Sequence, residues 1–252
     1  KIGDKGLFTK EIEESLLSKE SRIAVHSMKD IPTEIPSGLI IGAITKREDP
    51  HDVLISKKGL KLDELPQGAI LGTSSLRRSA QLFAYRPDLN IKSIRGNLTT
   101  RVAKLDKEDL NGIIVAMAGI RRLGLEEEIT EIIPFEILLP AVGQGALGVE
   151  VREDDTEAVE MVRNLDDETS RLTIEAERAF LNGLGGGCQV PIGALCEIEK
   201  ENLRLKGVVL SEDGKKSIKG EISGDKSNAI EIGKLLAKEL LHKGANILLA
   251  KK

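Results

Sequence analysis

Apolar positions recur along this chain with two periods. In "LFTKEIEESLLSKE", Phe8, Ile12 and Leu16 lie four apart and form one stripe of a helix. "RIAVHSM", "LIIGAIT" and "DVLIS" are short apolar runs and predict strands. Three strand–turn–helix units follow: "GAILGTSSLRRSAQLFAYR", "NIKSIRGNLTTRVAKLDK" and "GIIVAMAGIRRLGL". The second unit carries Leu98, Val102 and Leu105 at helical spacing. Such a succession predicts a mostly parallel sheet covered by helices, with ligand sites at strand ends beside helix N-termini. After "LLPAVGQGALGVEVRED" the pattern changes. "SRLTIEAERAFLNGL" predicts a helix with Leu172, Ala176, Ala179 and Phe180 inward. "NLRLKGVVLSEDGKKSIKGEIS" predicts a hairpin turned at Asp213-Gly214, and "SNAIEIGKLLAKELLHKGANILL" a last amphipathic helix. A small α+β domain is expected from about residue 166.

Composition narrows the function classes. A chain of 252 residues can bury real cores, and 40% hydrophobic with 31% charged residues is an ordinary globular balance. Aromatic residues make up 2%, so base-stacking platforms are not expected. The net charge of −4 argues against general affinity for nucleic acid or anionic membrane. Neither a membrane-length apolar run nor a signal peptide is visible, and two cysteines make no disulfide framework, so a reducing cytoplasm is expected. The chain opens on Lys1 without a preceding strand, so its start is either removed or lies outside this sequence.

Charge is distributed unevenly. Residues 72 to 104 hold Arg77, Arg78, Arg86, Lys92, Arg95, Arg101 and Lys104 against Asp88 alone, a local +6 in an acidic chain. Thr73, Ser74, Ser75, Arg77 and Arg78 sit where one strand enters a helix; Arg95, Asn97, Thr99, Thr100 and Arg101 repeat the arrangement. Hydroxyls, helix N-terminal N–H groups and guanidiniums together suit carboxylates or phosphates. A solubilising surface is the bland alternative, and no Walker-type loop makes a nucleotide the obvious anion. "HSMKD" places Ser27, Lys29 and Asp30 at another strand end, where a carboxylate can handle protons or merely cap a turn. In "GLGGGCQVPIGA", Cys188 has three open readings: a buried thiol, a partner of Cys196, or a reactive nucleophile exposed by its glycines. Cys196 alternates like a core strand residue. His26, His51 and His242 are dispersed, so no metal site is expected.

These stretches also carry a resemblance. "KGLFTKEIE", "AVHSMKDIPT", "REDPHDVLIS", "GTSSLRRSAQL", "IRGNLTTRVAKL", "AGIRRLGL", "LPAVGQGALG", "AERAFL" and "GGCQVPIGA", in this order, resemble porphobilinogen deaminase, also called hydroxymethylbilane synthase. The resemblance implies an α/β protein with two type II periplasmic-binding-protein-like domains and a small C-terminal α+β domain. It implies domain 1 at residues 1–45 plus 143–165, domain 2 at 46–142 and domain 3 at 166–252. The chain would cross between the first two near Ile44–Arg47 and near Leu138–Val142.

The same resemblance implies head-to-tail condensation of four porphobilinogen molecules, with loss of ammonia at each addition. A dipyrromethane cofactor held by a thioether to Cys188 would prime it, the glycines leaving room for the two-pyrrole arm. Asp30 would be the catalytic carboxylate, also touching the cofactor. Lys29, Ser75, Arg77 and Arg78 match cofactor contacts. Ser27, Thr73, Arg95, Asn97, Arg101, Arg122 and Gln144 match substrate contacts. Lys1 and Lys5 fall where the family has a mobile lid loop. A cytoplasmic monomer is expected, with no nucleic-acid or membrane partner. Family members begin with a strand and an arginine-serine motif that this sequence lacks. Two rivals use the same residues differently: an anion receptor without catalysis, which has no need of Cys188, and a thiol-dependent hydrolase.

Overall fold

The computed structural model describes residues 5–186 and 190–249, with only the backbone of residues 5–8. Lys1 and Cys188 lie outside the described residues. Three sheets organise the rest.

The first sheet has the order β1-β8-β2, from β1 (Ile23–Ser27), β2 (Leu39–Ile44) and β8 (Leu147–Arg152). Both outer strands run antiparallel to β8. Helix α1 (Lys5–Leu17) packs on it through Ile12 and the fully buried Leu16, against Ala24 and Leu39. Helix α5 (Thr156–Arg163), capped by the Asp155 carboxylate, inserts Ala158 and Val162 between Ala43, Val149 and Val151.

The chain leaves β2 at Ile44 and enters the second sheet at β3 (Asp52–Ser56). It then builds β4 (Ile70–Gly72), α2 (Leu76–Tyr85), β5 (Asn90–Lys92), α3 (Leu98–Lys107), β6 (Gly112–Ala116), α4 (Met117–Arg122) and β7 (Glu131–Ile132). The order is β5-β4-β6-β3-β7. The three strand–turn–helix units supply the parallel strands β5, β4 and β6. The expectation of a mostly parallel sheet holds for those three alone. β3 lies antiparallel to β6, β7 lies antiparallel to β3, and the first sheet has no parallel neighbours. Crossover helices impose parallel pairing on consecutive strands, whereas β3 arrives from another sheet and carries no such constraint. One face buries Leu71, Leu82 and Ile114; the other buries Val53, Ile94 and Ile113.

The third unit joins α6 (Glu168–Gly183), the sheet β9-β10-β11, α7 (Ala229–His242) and α8 (Ala245–Leu249). Its strands are β9 (Ile192–Glu199), β10 (Asn202–Leu210) and β11 (Ser217–Asp225). The expected hairpin joins β10 and β11, with Gly214 at φ +71°. A Cβ there would meet the Ala80 carbonyl of α2 at 2.5 Å, so this turn needs glycine for its conformation and for its contact. Phe180 is fully buried and lies over Gly207. Helix α6 buries two faces. Ala176 and Phe180 face its own sheet, while Ile174 joins Met28, Ile31, Ile44 and Ala146 beneath the first. Leu172 packs against the same core as Ala176 and Phe180, and Ala179 against Gly233 of α7, so both point inward as expected while remaining half-buried.

A buried carboxylate ties the units together. Glu177 accepts Arg47 Nη1 at 2.6 Å and Nη2 at 3.2 Å. It also accepts the Gly143 N–H at 2.8 Å and the Cys196 N–H at 2.9 Å. Arg47 lies on the outgoing passage between the first two sheets and Gly143 on the return. Arg47 Nε donates to the Gln144 carbonyl, and the Glu48 N–H to the Gly145 carbonyl.

Candidate active site

β1 ends at Ser27 and passes into a short 3-10 turn, Met28–Asp30. Met28 is 1% exposed and anchors the turn in the apolar cluster beneath it. Lys29 and Asp30 are thereby held half-buried. Burial pushes the Lys29 ammonium down to about 8; the charge of Arg78 adds to this, and those of Asp30 and Asp52 oppose it. Lys29 therefore loses its charge as pH rises through about 8, and a contact from it to a carboxylate ligand weakens over the same range.

Arg77 and Arg78 start helix α2, yet both guanidiniums are buried and meet Asp52 at the head of β3. Arg77 Nη1 donates to Asp52 Oδ2 at 2.7 Å and to the Leu139 carbonyl at 2.7 Å. Arg78 donates Nε and Nη2 to Asp52 Oδ1 at 3.0 and 2.6 Å. Gln144 Nε2 reaches the same oxygen at 2.9 Å. The two guanidiniums hold the Asp52 carboxyl well below the usual range, against a large opposing effect of burial.

The remaining expected contacts divide. Arg101 is half-buried and its Nε donates to the Gly96 carbonyl at 2.9 Å. Burial lowers its pKa first, Arg78 lowers it further, and Asp30 opposes. Lys29, Asp30, Arg77, Arg78 and Arg101 thus share one electrostatic neighbourhood. Ser75 and Asn97 are helix N-caps: Ser75 Oγ accepts the Arg78 N–H, and Asn97 Oδ1 the Thr100 N–H. Thr73 is 1% exposed and its hydroxyl accepts the Ser75 N–H. Arg95 and Arg122 are exposed and make no ion pair among the described residues. Ser27 is half-buried and makes no side-chain cap.

The local +6 is answered only in part within the protein. Arg86 pairs with Asp88, Lys92 and Lys104 with Glu108, and Arg77 and Arg78 with Asp52. Asp52 and Glu108 fall outside the counted window, which is why the window overstated the charge. What remains is compact. Lys29, Arg77, Arg78 and Arg101 face two carboxylates, Asp30 and Asp52. Among the described residues Arg77 Nε is a buried donor without an acceptor, and Gln144 Oε1 a buried acceptor without a donor. An excess of positive charge fits a ligand that carries carboxylates.

The two cysteines differ. Cys196 is 3% exposed on β9, a free thiol whose pKa burial and Glu177 raise strongly. It is a poor nucleophile. Cys188 and Gly187 fall outside the described residues. Of the glycines before them, Gly185 has open space around it, whereas Gly186 is buried against Leu181 and Ile192, so the room expected around the thiol is seen at Gly185 and not at Gly186. No His/Cys/Asp/Glu cluster able to hold a metal occurs among the described residues.

Residues 1–160 match the family profile described as "Porphobilinogen deaminase, dipyromethane cofactor binding domain", and residues 171–242 the one described as "Porphobilinogen deaminase, C-terminal domain". The porphobilinogen deaminase of Pelotomaculum thermopropionicum is 56% identical over 249 residues, 99% of this chain and 80% of that protein. That of Carboxydothermus hydrogenoformans is 57% identical over the same shares. The chain belongs to the porphobilinogen deaminase family of transferases. Among solved structures, a periplasmic binding protein of an ABC transporter from Brucella ovis with glutathione bound aligns with TM-score 0.39 at 18% identity. It covers 69% of this chain and 52% of that one, too slight a likeness to add to the topology above.

Proposed function

We propose that this chain condenses porphobilinogen head to tail into hydroxymethylbilane, releasing ammonia at each addition, on a dipyrromethane held by a thioether to Cys188. One observation carries the reading: Asp30 lies among Lys29, Arg78 and Arg101 in a half-buried cluster with positive charge to spare. When bound, the dipyrromethane supplies the free pyrrole carbon to which the first substrate is joined. Cys188 is the thiol assigned to it, because Cys196 is buried and hard to ionise. Lys29, Arg77, Arg78 and Ser75 hold its acetate and propionate groups. Arg95, Arg101 and Arg122 take those of the incoming substrate, with Ser27, Thr73, Asn97 and Gln144 lining the same region. The Asp30 carboxylate accepts pyrrole N–H groups, balances positive charge on a pyrrole nitrogen and passes protons at its Oδ atoms.

The family division at residues 1–45 plus 143–165, 46–142 and 166–252 gives each sheet its own domain. In this reading the protein acts as a monomer in a reducing cytoplasm. No described helix is long and apolar enough to cross a membrane. Ammonia release from porphobilinogen tests the assignment. Steady release with a bilane product is expected, whereas saturable binding without ammonia would identify an anion receptor.

Arg95 and Arg101 give a graded result. Arg101→Leu and Arg95→Leu each remove a charge-assisted contact worth about 1.5–3 kcal/mol. Each should stall elongation at an intermediate pyrrole count, visible by intact mass. Arg101→Lys should restore only part, since an ammonium lacks the planar fork. Normal elongation in both Leu variants would return these arginines to surface charge.

A further inference from the structure

Arg77, Arg78 and Gln144, all assigned above to ligand contacts, converge on one buried carboxylate that carries no ligand assignment. We infer that Asp52 is the positioning residue of the site: it sets Arg77, Arg78 and Gln144 as one unit and fixes how much positive charge is left for the ligand. The inference rests on the proposed function for its ligand, and on geometry for its parts.

Adjacent residues on a helix point about 100° apart, so two guanidiniums at consecutive positions ordinarily diverge. Here they meet because Asp52 offers both oxygens at 0% exposure. Oδ2 takes Arg77 Nη1, while Oδ1 takes Arg78 Nε and Nη2 together with Gln144 Nε2. Backbone carbonyls complete the frame: Leu139 accepts from Arg77 and Ile114 from Arg78. β3 holds Asp52 rigidly in register with Ala116 of β6. Pro50, just upstream, gives its carbonyl to Gln144 Nε2 at 2.7 Å. One carboxylate against two guanidiniums leaves one positive charge unshared. A ligand carboxylate therefore meets a cation already oriented and largely desolvated, which lowers the cost of binding.

Asparagine at position 52 keeps the shape but turns one acceptor into a donor facing Arg77 Nη1, and leaves two cationic charges unshared. Glutamate keeps the charge and displaces it by a methylene. In Asp52→Asn the KM for porphobilinogen should rise about tenfold or more with kcat changed far less. The high-pH limb that follows Lys29 should move below about 8, because the Asp52 charge that supports the ammonium is gone. In Asp52→Glu the KM should rise while the limb stays. A purely structural role would lower the unfolding midpoint without moving that limb.

A second readout needs no turnover. Arginine Nε–Hε signals of the full chain by NMR should show a slowly exchanging Arg78 in the parent that is lost in Asp52→Asn. Unchanged KM, pH limb and arginine signals in a folded Asp52→Asn would overturn the inference. If that variant does not fold, Asp52→Glu decides: a raised KM with an unmoved limb supports the role, and an unchanged KM overturns it. Loss of the arginine signal, with no porphobilinogen turnover in the parent chain, would count against the functional assignment and leave the positioning role standing.

Discussion

Asp30→Asn is expected to cut turnover by about 10²–10⁴-fold through lost acid–base chemistry, and further through lost charge stabilisation, while the fold survives. The amide has nearly the same shape, and Met28 anchors the turn that carries it. It can neither take nor give the proton as a carboxyl group does. It also removes the charge that supports Lys29 and Arg101 as cations. Asp30→Glu keeps the charge one methylene away, so it should retain partial activity and release bound intermediates more slowly. Single-turnover ammonia release, beside circular dichroism, measures both. Release from Asp30→Asn at the parent's rate would move the proton chemistry to another group.

The second large effect is on stability. Glu177→Ala should cost about 3–5 kcal/mol, because it strands Arg47 without its carboxylate and leaves the Gly143 and Cys196 N–H groups without an acceptor. Glu177→Gln keeps acceptor capacity at one oxygen and should cost less. Denaturant midpoints compare the three proteins. A midpoint for Glu177→Ala within the parent's error would show that the two passages and α6 hold together without this carboxylate.

Glu177 also marks what local reading misses. In "EAERAFL" it stands with Glu175 and Arg178, and looks like solvated helix charge. Its burial comes from α6 being sandwiched between the first and third sheets, a fact of tertiary packing. Asp52 is similar: it begins the run "DVLIS", where a carboxylate before a strand reads as a turn residue. Its partners lie 25, 26 and 92 residues away. Locally driven elements were legible. The Ile12 and Leu16 part of the helical stripe, the three strand–turn–helix units and the Asp213-Gly214 hairpin follow from periodicity and turn chemistry. The antiparallel entry of β3 was not, because pairing direction depends on a passage from another sheet. Ser75 and Asn97 show a different ambiguity, since the polar side chains that cap a helix are the same types that bind an anion. The motif series carried the family at full length, and the arginines' roles divided only when their carboxylates were found.

The assignment of the dipyrromethane to Cys188 is open to an intact-mass measurement. The parent and Cys196→Ala should each show the mass of their chain plus a dipyrrole and develop colour with Ehrlich's reagent. Cys188→Ser should show the bare chain and no colour, since a hydroxyl does not supply the thiolate. A Cys188→Ser protein that keeps the added mass would contradict the account.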